Sequence, residues 1–419
     1  MLCFDTISHT AAPVKEKNSV PFRQEYVTWY AILLGGNAAI LDIISYGHGI
    51  FFAALQTILM FGFFLEWRRD RAGTTAGQNL TISLIIPIHN EGRRMGGLLY
   101  SLLVQDYPAE IIFVDDCSND ESPSMLAQFV MDAAARGMDA RVITLTNNPG
   151  PNRKQYALSK GIAEARGDCL LFTDGDCEAP PGWIRAMARR MNDPAVGAAI
   201  GPVFKKKQGK GFFSLYQCYD HVVRYNYLAG AIGLGAAGGG FGNNLIVSRA
   251  ALDSVGGYDA APPSPTEDAA LISLIRSRGK YRIRAIAQPD AAVETGAEET
   301  WRAFINQTLR WNNGGLFSPE PITRCNYNLL MLVISTGILA IPLLPLFPGL
   351  WPMPAGVLIV MIENTIAAFA LFSKKLPSGG FLNLGYALTL LFTPVYFTLM
   401  TLMGYCGIKT TWKNRQVVC

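Results

Sequence analysis

Apolar positions pile up at the two ends of the chain. From Trp29 to Trp67 only Asp42 and Glu66 carry charge, and from Tyr327 to Cys406 only Glu363, Lys374 and Lys375 do. A membrane span needs about 20 mostly apolar residues. The C-terminal block offers three such stretches, Tyr327–Phe347, Ala355–Phe372 and Leu382–Tyr405, separated by Pro- and Gly-rich breaks at Pro348–Pro354 and Pro377–Gly380. The N-terminal block offers one clear stretch, Ile50–Leu65. A weaker one, Thr28–Ile44, reads either as a span or as an interfacial helix. Lys15, Lys17 and Arg23 precede this block and Arg68, Arg69 and Arg71 follow it, so the positive-inside rule predicts two spans with both outer flanks cytosolic. The polar N-terminus and the missing small-residue cleavage site speak against a signal peptide. Three C-terminal spans would leave Lys409, Lys413 and Arg415 outside. One of those stretches is therefore expected not to be a simple span, with the broken run Ile341–Pro348 and the Thr393–Pro394 kink as candidates.

Between Arg68 and Arg324 the period changes. Thr81–Ile88, Ile111–Asp115, Arg141–Leu145, Cys169–Thr173 and Leu245–Val247 read as strands. Arg94–Val104, Met125–Arg136, Lys154–Arg166, Trp183–Met191 and Asp268–Arg278 read as helices. Strands alternating with helices predict an α/β domain with a mostly parallel sheet and helices on both faces, flanked by transmembrane helices at both ends.

Composition narrows the classes. Half the residues are hydrophobic and 16% are charged, which excludes a disordered chain. Thirty-six basic against 32 acidic residues, with no basic tail, exclude nucleic acid as the expected partner. Eight scattered cysteines without a C-x-x-C pair predict reduced thiols rather than a disulfide framework or a zinc site.

The candidate chemistry lies at strand ends, where ligands of such sheets sit. His89, Asn90 and Glu91 follow the first strand, Asp115 and Asp116 end the second, and Asp174-Gly175-Asp176 ends the fourth. Singly each could be turn chemistry; together they define a face. Gly175 lets the backbone turn tightly between two carboxylates, and a carboxylate pair suits Mg²⁺ or Mn²⁺ carrying a diphosphate. Thr266-Glu267-Asp268 opens a helix and reads either as an N-cap with acids in the first turn or as the seat of a general base. Gln307, Arg310 and Trp311 share a helix face, offering a cation for a leaving phosphate and a ring for stacking.

The order Ile86-Pro-Ile-His-Asn-Glu91, Val114-Asp-Asp-Cys-Ser118, Asp174-Gly-Asp176, Thr266-Glu-Asp268 and Gln307-Thr-Leu-Arg-Trp311 resembles the membrane-integrated family-2 glycosyltransferases. These include cellulose, chitin and hyaluronan synthases, ceramide glucosyltransferases and bacterial lipid or carotenoid glycosyltransferases. The tail Trp412-Lys-Asn-Arg415 resembles a Trp-Lys-Gly-Arg ending of small lipid-directed members, in which it is cytosolic.

The resemblance implies a GT-A-type fold and a set of roles. His89, Asn90, Glu91, Asp115 and Asp116 would hold the nucleoside of a sugar nucleotide, with UDP-sugars expected first. Lys154 and the Asp174–Gly175 turn would contact the nucleotide, although Ser159 stands where Asn is usual after the Lys154 motif. Asp174 and Asp176 would bind the metal. Asp268, beside Glu267, would deprotonate the acceptor. Gln307, Arg310 and Trp311 would close over the diphosphate and acceptor. One base without a second nucleophilic carboxylate fits inversion.

Domains are expected at 1–26 (cytosolic tail), 27–67 (one or two spans), 68–325 (GT-A catalytic domain), 326–406 (about three spans) and 407–419 (C-terminal tail). The expected activity is transfer of one sugar to a hydroxyl of a membrane lipid by an integral protein of a bacterial inner membrane, its catalytic domain in the cytosol. Three C-terminal stretches are thin for a polymer channel, so a processive polysaccharide synthase is the second reading and a non-catalytic sugar-nucleotide-binding protein the third.

Other features invite weaker readings. Gly233-Leu-Gly-Ala-Ala-Gly238 has the letters of a dinucleotide fingerprint but follows no clear strand, so a glycine loop lining the acceptor side is expected. Lys205, Lys206, Lys207 and Lys210 before Phe212, Phe213, Tyr216, Tyr219, Tyr225 and Tyr227 suit either a membrane surface or an ordinary packed helix. Glu363, mid-span, is expected to face the bundle, and His221 and Cys177 to be structural.

Overall fold

The structure is a computed structural model describing residues 22–71, 80–206, 211–372, 384–412 and 415–416. Residues 1–21 of the expected cytosolic tail lie outside these, as do Lys207, Lys210, Lys374, Lys375, Lys413 and the thiols of Cys3 and Cys419. The first element is one continuous helix, α1 (Phe22–Arg71), of 50 residues. At 1.5 Å per residue it is about 75 Å long, far beyond a bilayer core. Of the one or two spans expected for this block, a continuous helix leaves no turn for a pair. Ser45–Gly49 has no proline, its two glycines stay helical, and among the described residues the candidate span of this block is Ala39–Arg71.

The strands are β1 (Ile82–Ile88), β2 (Glu110–Asp116), β3 (Ala140–Leu145), β4 (Cys169–Phe172), β5 (Cys177–Glu178), β6 (Val196–Ile200), β7 (Val203–Lys206), β8 (Leu245–Ser248), β9 (Arg282–Ala285) and β10 (Val293–Gly296). The helices after α1 are α2 (Gly96–Leu103), α3 (Ser122–Ala135), α4 (Arg153–Glu164), α5 (Trp183–Arg190), α6 (Phe212–Gly233), α7 (Arg249–Ser254), α8 (Glu267–Arg278), α9 (Trp301–Leu316), α10 (Pro321–Leu339), α11 (Pro352–Phe372) and α12 (Leu384–Tyr405).

Seven strands form one sheet in the order β3-β2-β1-β4-β8-β6-β9, and among them only β8 runs against its neighbours. Alternation along β1 divides the core in two. Ile85 packs with Leu158 and Ile162 of α4 and Tyr225 of α6, whereas Leu84 and Ile86 pack with Leu98 of α2, Phe129 of α3 and Trp183 of α5. Register aligns the strand ends. Ile88 pairs with Asp115 and Ile85 with Phe172, so the loops after β1, β2 and β4 open on one edge. A second sheet, β5-β10-β7, stands beside that edge. Its strands and β6 and β9 have no clear sequence signature. They are two to five residues long, and β6, β7 and β9 are rich in Ala, Lys or Arg, so pairing partners rather than propensity make them strands.

Among the described residues three helical segments are long and apolar enough to cross a membrane: Ala39–Arg71, Pro321–Leu343 and Pro348–Ala367; Leu391–Tyr405 is a shorter apolar one. The Pro-rich run after α10 breaks into two 3-10 turns before α11, whereas Pro394 stays inside α12. The aromatic run of α6 is a packed helix and not a membrane-surface one. Tyr216, Tyr219 and Tyr225 are buried, and Tyr216 stacks edge-on against Phe304 of α9 and Phe392 of α12.

Glycine lets α6 lie directly on α1. A Cβ at Gly62 would stand 2.3 Å from the Gly230 carbonyl oxygen, and one at Gly233 closer still to the Gly62 carbonyl. The other joint is electrostatic. Glu66, 0% exposed, accepts from Ala285 N of β9 at 3.0 Å and pairs with Arg69 at 2.6 Å, Arg284 at 3.4 Å and Arg190 at 3.6 Å.

Candidate active site

Loops at the aligned strand ends position the first group of residues. Asn90 sits at φ 55°, which asparagine tolerates, and its carboxamide accepts from Asn119 N at 2.9 Å. His89 Nδ1 lies 2.7 Å from the Asp116 carbonyl. Asp115 is buried and accepts from Ser118 N at 3.1 Å. Both Asn90 and Asp115 therefore serve the turn geometry here, and neither lines the cavity described below. Asp116 faces it and is gripped by Arg153, with Nη2–Oδ1 2.6 Å and Nε–Oδ2 2.7 Å, and by Asn148 Nδ2 at 2.8 Å. Arg153 went unnoticed in the sequence although it neighbours Lys154; its bidentate fork holds the strand-end carboxylate in place.

The Asp174–Asp176 turn is flanked by cations on both sides. Lys154 Nζ is 2.7 Å from Asp174 Oδ1 and 3.0 Å from Glu267 Oε1, so one ammonium ties α4 to the β4 turn and to the start of α8. Arg94 reaches Asp176 at 3.5 Å and Glu91 at 2.6 Å. The neighbouring carboxylates hold the Lys154 ammonium well above the usual lysine range, outweighing its burial. Among the described residues no group of three or more His, Cys, Asp or Glu forms a metal cage. Two hard carboxylates, Asp174 a third exposed and Asp176 a fifth, have the chemistry to fit a divalent cation.

Thr266 occupies the N-cap position of α8, but its side chain makes no cap bond to the helix. Its hydroxyl instead lies 3.4 Å from Ser264 Oγ. Asp268 turns back to the glycine loop, accepting from Gly242 N at 2.6 Å and Ala269 N at 2.8 Å. Burial, and then the Glu267 carboxylate, push its pKa up to about 6 against the pull of Lys154. Glycines 238–240 and 242 line this side, as expected, and Gly233 ends a helix rather than a strand, which excludes a dinucleotide fold there.

The α9 helix presents Gln307, Arg310 and Trp311 to the same space. Thr300 caps it by accepting from Ala303 N. Arg310 Nη1 donates to the Pro265 carbonyl at 3.1 Å, drawing α9 to the Thr266–Asp268 segment. Gln307 Nε2 donates to Glu298 Oε1 at 2.6 Å. Trp311 stands beside His221, ring centroids 5.4 Å apart, and under Arg224, whose guanidinium carbon is 5.5 Å from the ring. Lys205, Glu298, His221 and Arg224 also face the cavity. They lack a motif, and only folding brings them to it.

The groups that face inward share one cavity of about 1070 Å³. His89, Glu91, Asp116, Lys154, Asp174, Gly175, Asp176, Glu267, Asp268, Gln307, Arg310 and Trp311 belong to its wall. So do Leu55 and Leu59 of α1, Leu329, Leu330 and Ile334 of α10 and Phe397 of α12.

Two family models match the chain. The one described as glycosyl transferase family 2 covers residues 83–256, and the one described as glycosyl transferase family group 2 covers residues 170–408, more than half of the sequence. The chain belongs to the family-2 glycosyltransferases. Among its family relatives are an N-acetylglucosaminyltransferase of Rhizobium leguminosarum, 26% identical over 62% of this chain and 63% of that one, and a beta-monoglucosyldiacylglycerol synthase of Synechocystis, 25% identical over 56% and 47%. A 4,4'-diaponeurosporenoate glycosyltransferase of Staphylococcus haemolyticus is 30% identical over 38% and 39%. Each of these three matches spans less than two thirds of the relative's own length. The fold is GT-A-type. The Pyrobaculum calidifontis mannosyltransferase PcManGT, solved with GDP-Man and Mn²⁺, superposes over 90% of this chain and 99% of its own with a TM-score of 0.51 at 16% identity.

Proposed function

We propose that this family-2 protein transfers a sugar from a nucleotide-sugar donor to a hydroxyl of a membrane lipid, with inversion at the anomeric carbon. The observation that carries the reading is the mixed wall of the cavity. At one part it has the carboxylates of Asp174, Asp176 and Asp268 with Lys154 and Arg310; at another it has apolar side chains of α1 and α10, both long and apolar enough to cross a membrane. A donor with a diphosphate and an acceptor with an alkyl tail would each find a matching surface. Relatives named for lipid and carotenoid substrates support the same reading.

In this reading Asp116, held by Arg153, faces the nucleoside, and Lys154 approaches the diphosphate. Asp174 and Asp176 would hold Mg²⁺ or Mn²⁺, which supplies Lewis-acid neutralisation of the leaving diphosphate when bound. Asp268 takes the proton of the acceptor hydroxyl. The freed oxygen attacks the anomeric carbon, the bond from that carbon to the diphosphate oxygen breaks, and the nucleoside diphosphate leaves with the electron pair toward Arg310. Helices long and apolar enough to cross a membrane on either side of the sheet support a catalytic domain, residues 68–325, at the bilayer surface; we assign it to the cytosolic side on the cluster Arg68, Arg69 and Arg71.

Purified protein with native lipid extract, Mn²⁺ and a panel of UDP- and GDP-sugars tests the proposal, following nucleotide release and lipid mass. One hexose-sized mass increment on one lipid class is expected. A ladder of water-soluble oligomers would replace this reading with a polysaccharide synthase, and no release from any donor would refute the transferase reading.

A further inference from the structure

Two opposite charges on the cavity wall are used by nothing above. Lys205, in β7, is 7% exposed, and its Nζ donates to two neutral oxygens: Gly296 O at 2.9 Å and Gln307 Oε1 at 3.4 Å. It forms no ion pair with a described residue. Glu298 likewise forms none; its Oε1 accepts from the other end of the same carboxamide, Gln307 Nε2, at 2.6 Å. Gln307 thus stands between an ammonium and a carboxylate, holding both in reach of the cavity.

The frame around them is rigid. Gln217 of α6 clamps the Glu298 backbone from both sides, accepting from its N–H at 2.7 Å and donating to its carbonyl at 3.0 Å. Trp311 lies beside the pair, its ring centre 6.0 Å from Lys205 Nζ. A buried ammonium whose direct contacts are two neutral oxygens keeps a donor free for a ligand. A phosphate fits poorly, because the Glu298 carboxylate would repel it. A polyol fits, since each hydroxyl both accepts and donates, and an aromatic ring suits the apolar face of a sugar.

We propose that Lys205 and Glu298 are specificity-determining residues for the transferred sugar, Lys205 donating to one ring hydroxyl and Glu298 accepting from its neighbour, with Trp311 beneath the ring. This rests on the nucleotide-sugar reading above.

The test compares wild type with Lys205→Met, Lys205→Arg and Glu298→Gln. The donors are UDP-glucose, its epimer UDP-galactose and the monodeoxy analogues of UDP-glucose, with GDP-mannose and its deoxy analogues as a second set. Affinity for free UDP or GDP is measured alongside. Wild type should prefer one epimer by about tenfold or more. Lys205→Met and Glu298→Gln should each lose about tenfold in kcat/KM on that donor and little on the analogue lacking the cognate hydroxyl. Lys205→Arg should retain part of the preference, and free nucleotide affinity should change less than about twofold in all variants. Equal losses across all donors, deoxy analogues included, would overturn the proposal. So would a loss of free UDP or GDP affinity matching that of the sugar nucleotide, which would make Lys205 a phosphate ligand. If wild type turns over no donor at all, the transferase reading fails and this inference with it; uniform losses in variants of an active wild type sink the inference alone.

Discussion

The Lys154 ammonium lies 2.7 Å from Asp174 Oδ1, and the same atom reaches Glu267 at 3.0 Å. One cation therefore links the metal-type turn to the helix that carries the proposed base. Lys154→Met removes it and leaves three carboxylates facing each other. The donor KM should rise about tenfold or more, consistent with loss of a charge-assisted contact. Because Lys154 lowers the pKa of Asp268, the acid limb of the pH–rate profile should also move to higher pH. An unmoved limb would separate Lys154 from the base.

Asp268 sets a second expectation. A base must be ionised to act, and its carboxyl is pushed up to about 6 by burial and by Glu267. Activity should rise with pH through about 6 and level off above it. Asp268→Asn should cut kcat by about 100- to 10,000-fold while donor affinity persists. Its folded pKa is raised above the unfolded value, so ionised Asp268 costs stability above that range. The Asn variant should melt no lower than wild type at neutral pH. Turnover unchanged in this variant would remove Asp268 from the chemistry.

The proposed metal role of Asp174 and Asp176 sets a third expectation. Chelation should abolish transfer, and Mn²⁺ or Mg²⁺ should restore it. Asp174→Asn and Asp176→Asn should weaken that rescue, read as a raised metal concentration for half-maximal activity. Full activity in excess chelator would refute the assignment.

The joint between α1 and the sheet is a stability prediction. Glu66 is fully buried against Arg190 and Arg284, which are 8% and 15% exposed, and against Ala285 N. Glu66→Ala strands two guanidiniums in a poorly hydrated seam. Breaking such a network by removing one partner costs about 3–5 kcal/mol. Thermal unfolding in detergent should report a clear fall in Tm, and an unchanged Tm would show that the seam is hydrated.

The apolar part of the cavity can be closed without touching the polar part. Leu330→Trp on α10 fills space beside Leu329 and Ile334. Lipid glycosylation should fall by about tenfold or more, while affinity for the nucleotide donor stays within about twofold. Equal loss of both would mean that the substitution disturbs the whole site.

Much of the catalytic half was legible in the chain. Short apolar runs and helical runs alternate with enough contrast to mark β1 to β4, β8 and helices α2 to α5 and α8, because central strands covered on both faces are mostly apolar. The small sheet β5-β10-β7 was not legible, since its strands are short and Lys205 and Glu294 interrupt any pattern. The N-terminal block misled for a different reason. Positive charges at both outer flanks suggested a hairpin of two spans, but flanking charge does not make a turn, and α1 continues through Ser45–Gly49.

By itself the sequence determined the fold class, the order of the strand-end carboxylates and the apolar ends, because each depends on residue type and near-neighbour spacing. Only the tertiary structure decided which of those polar groups meet. Lys154, Asp174, Glu267 and Arg310 are separated along the chain and come together through the register of a parallel sheet and the docking of α9. Asn90 and Asp115 sit in the right motifs yet point into turns, and Lys205 and Glu298 sit in no motif yet face the cavity. Side-chain direction is set by pleat, loop geometry and the packing of α6 on α1, all of which arise from contacts distant in sequence.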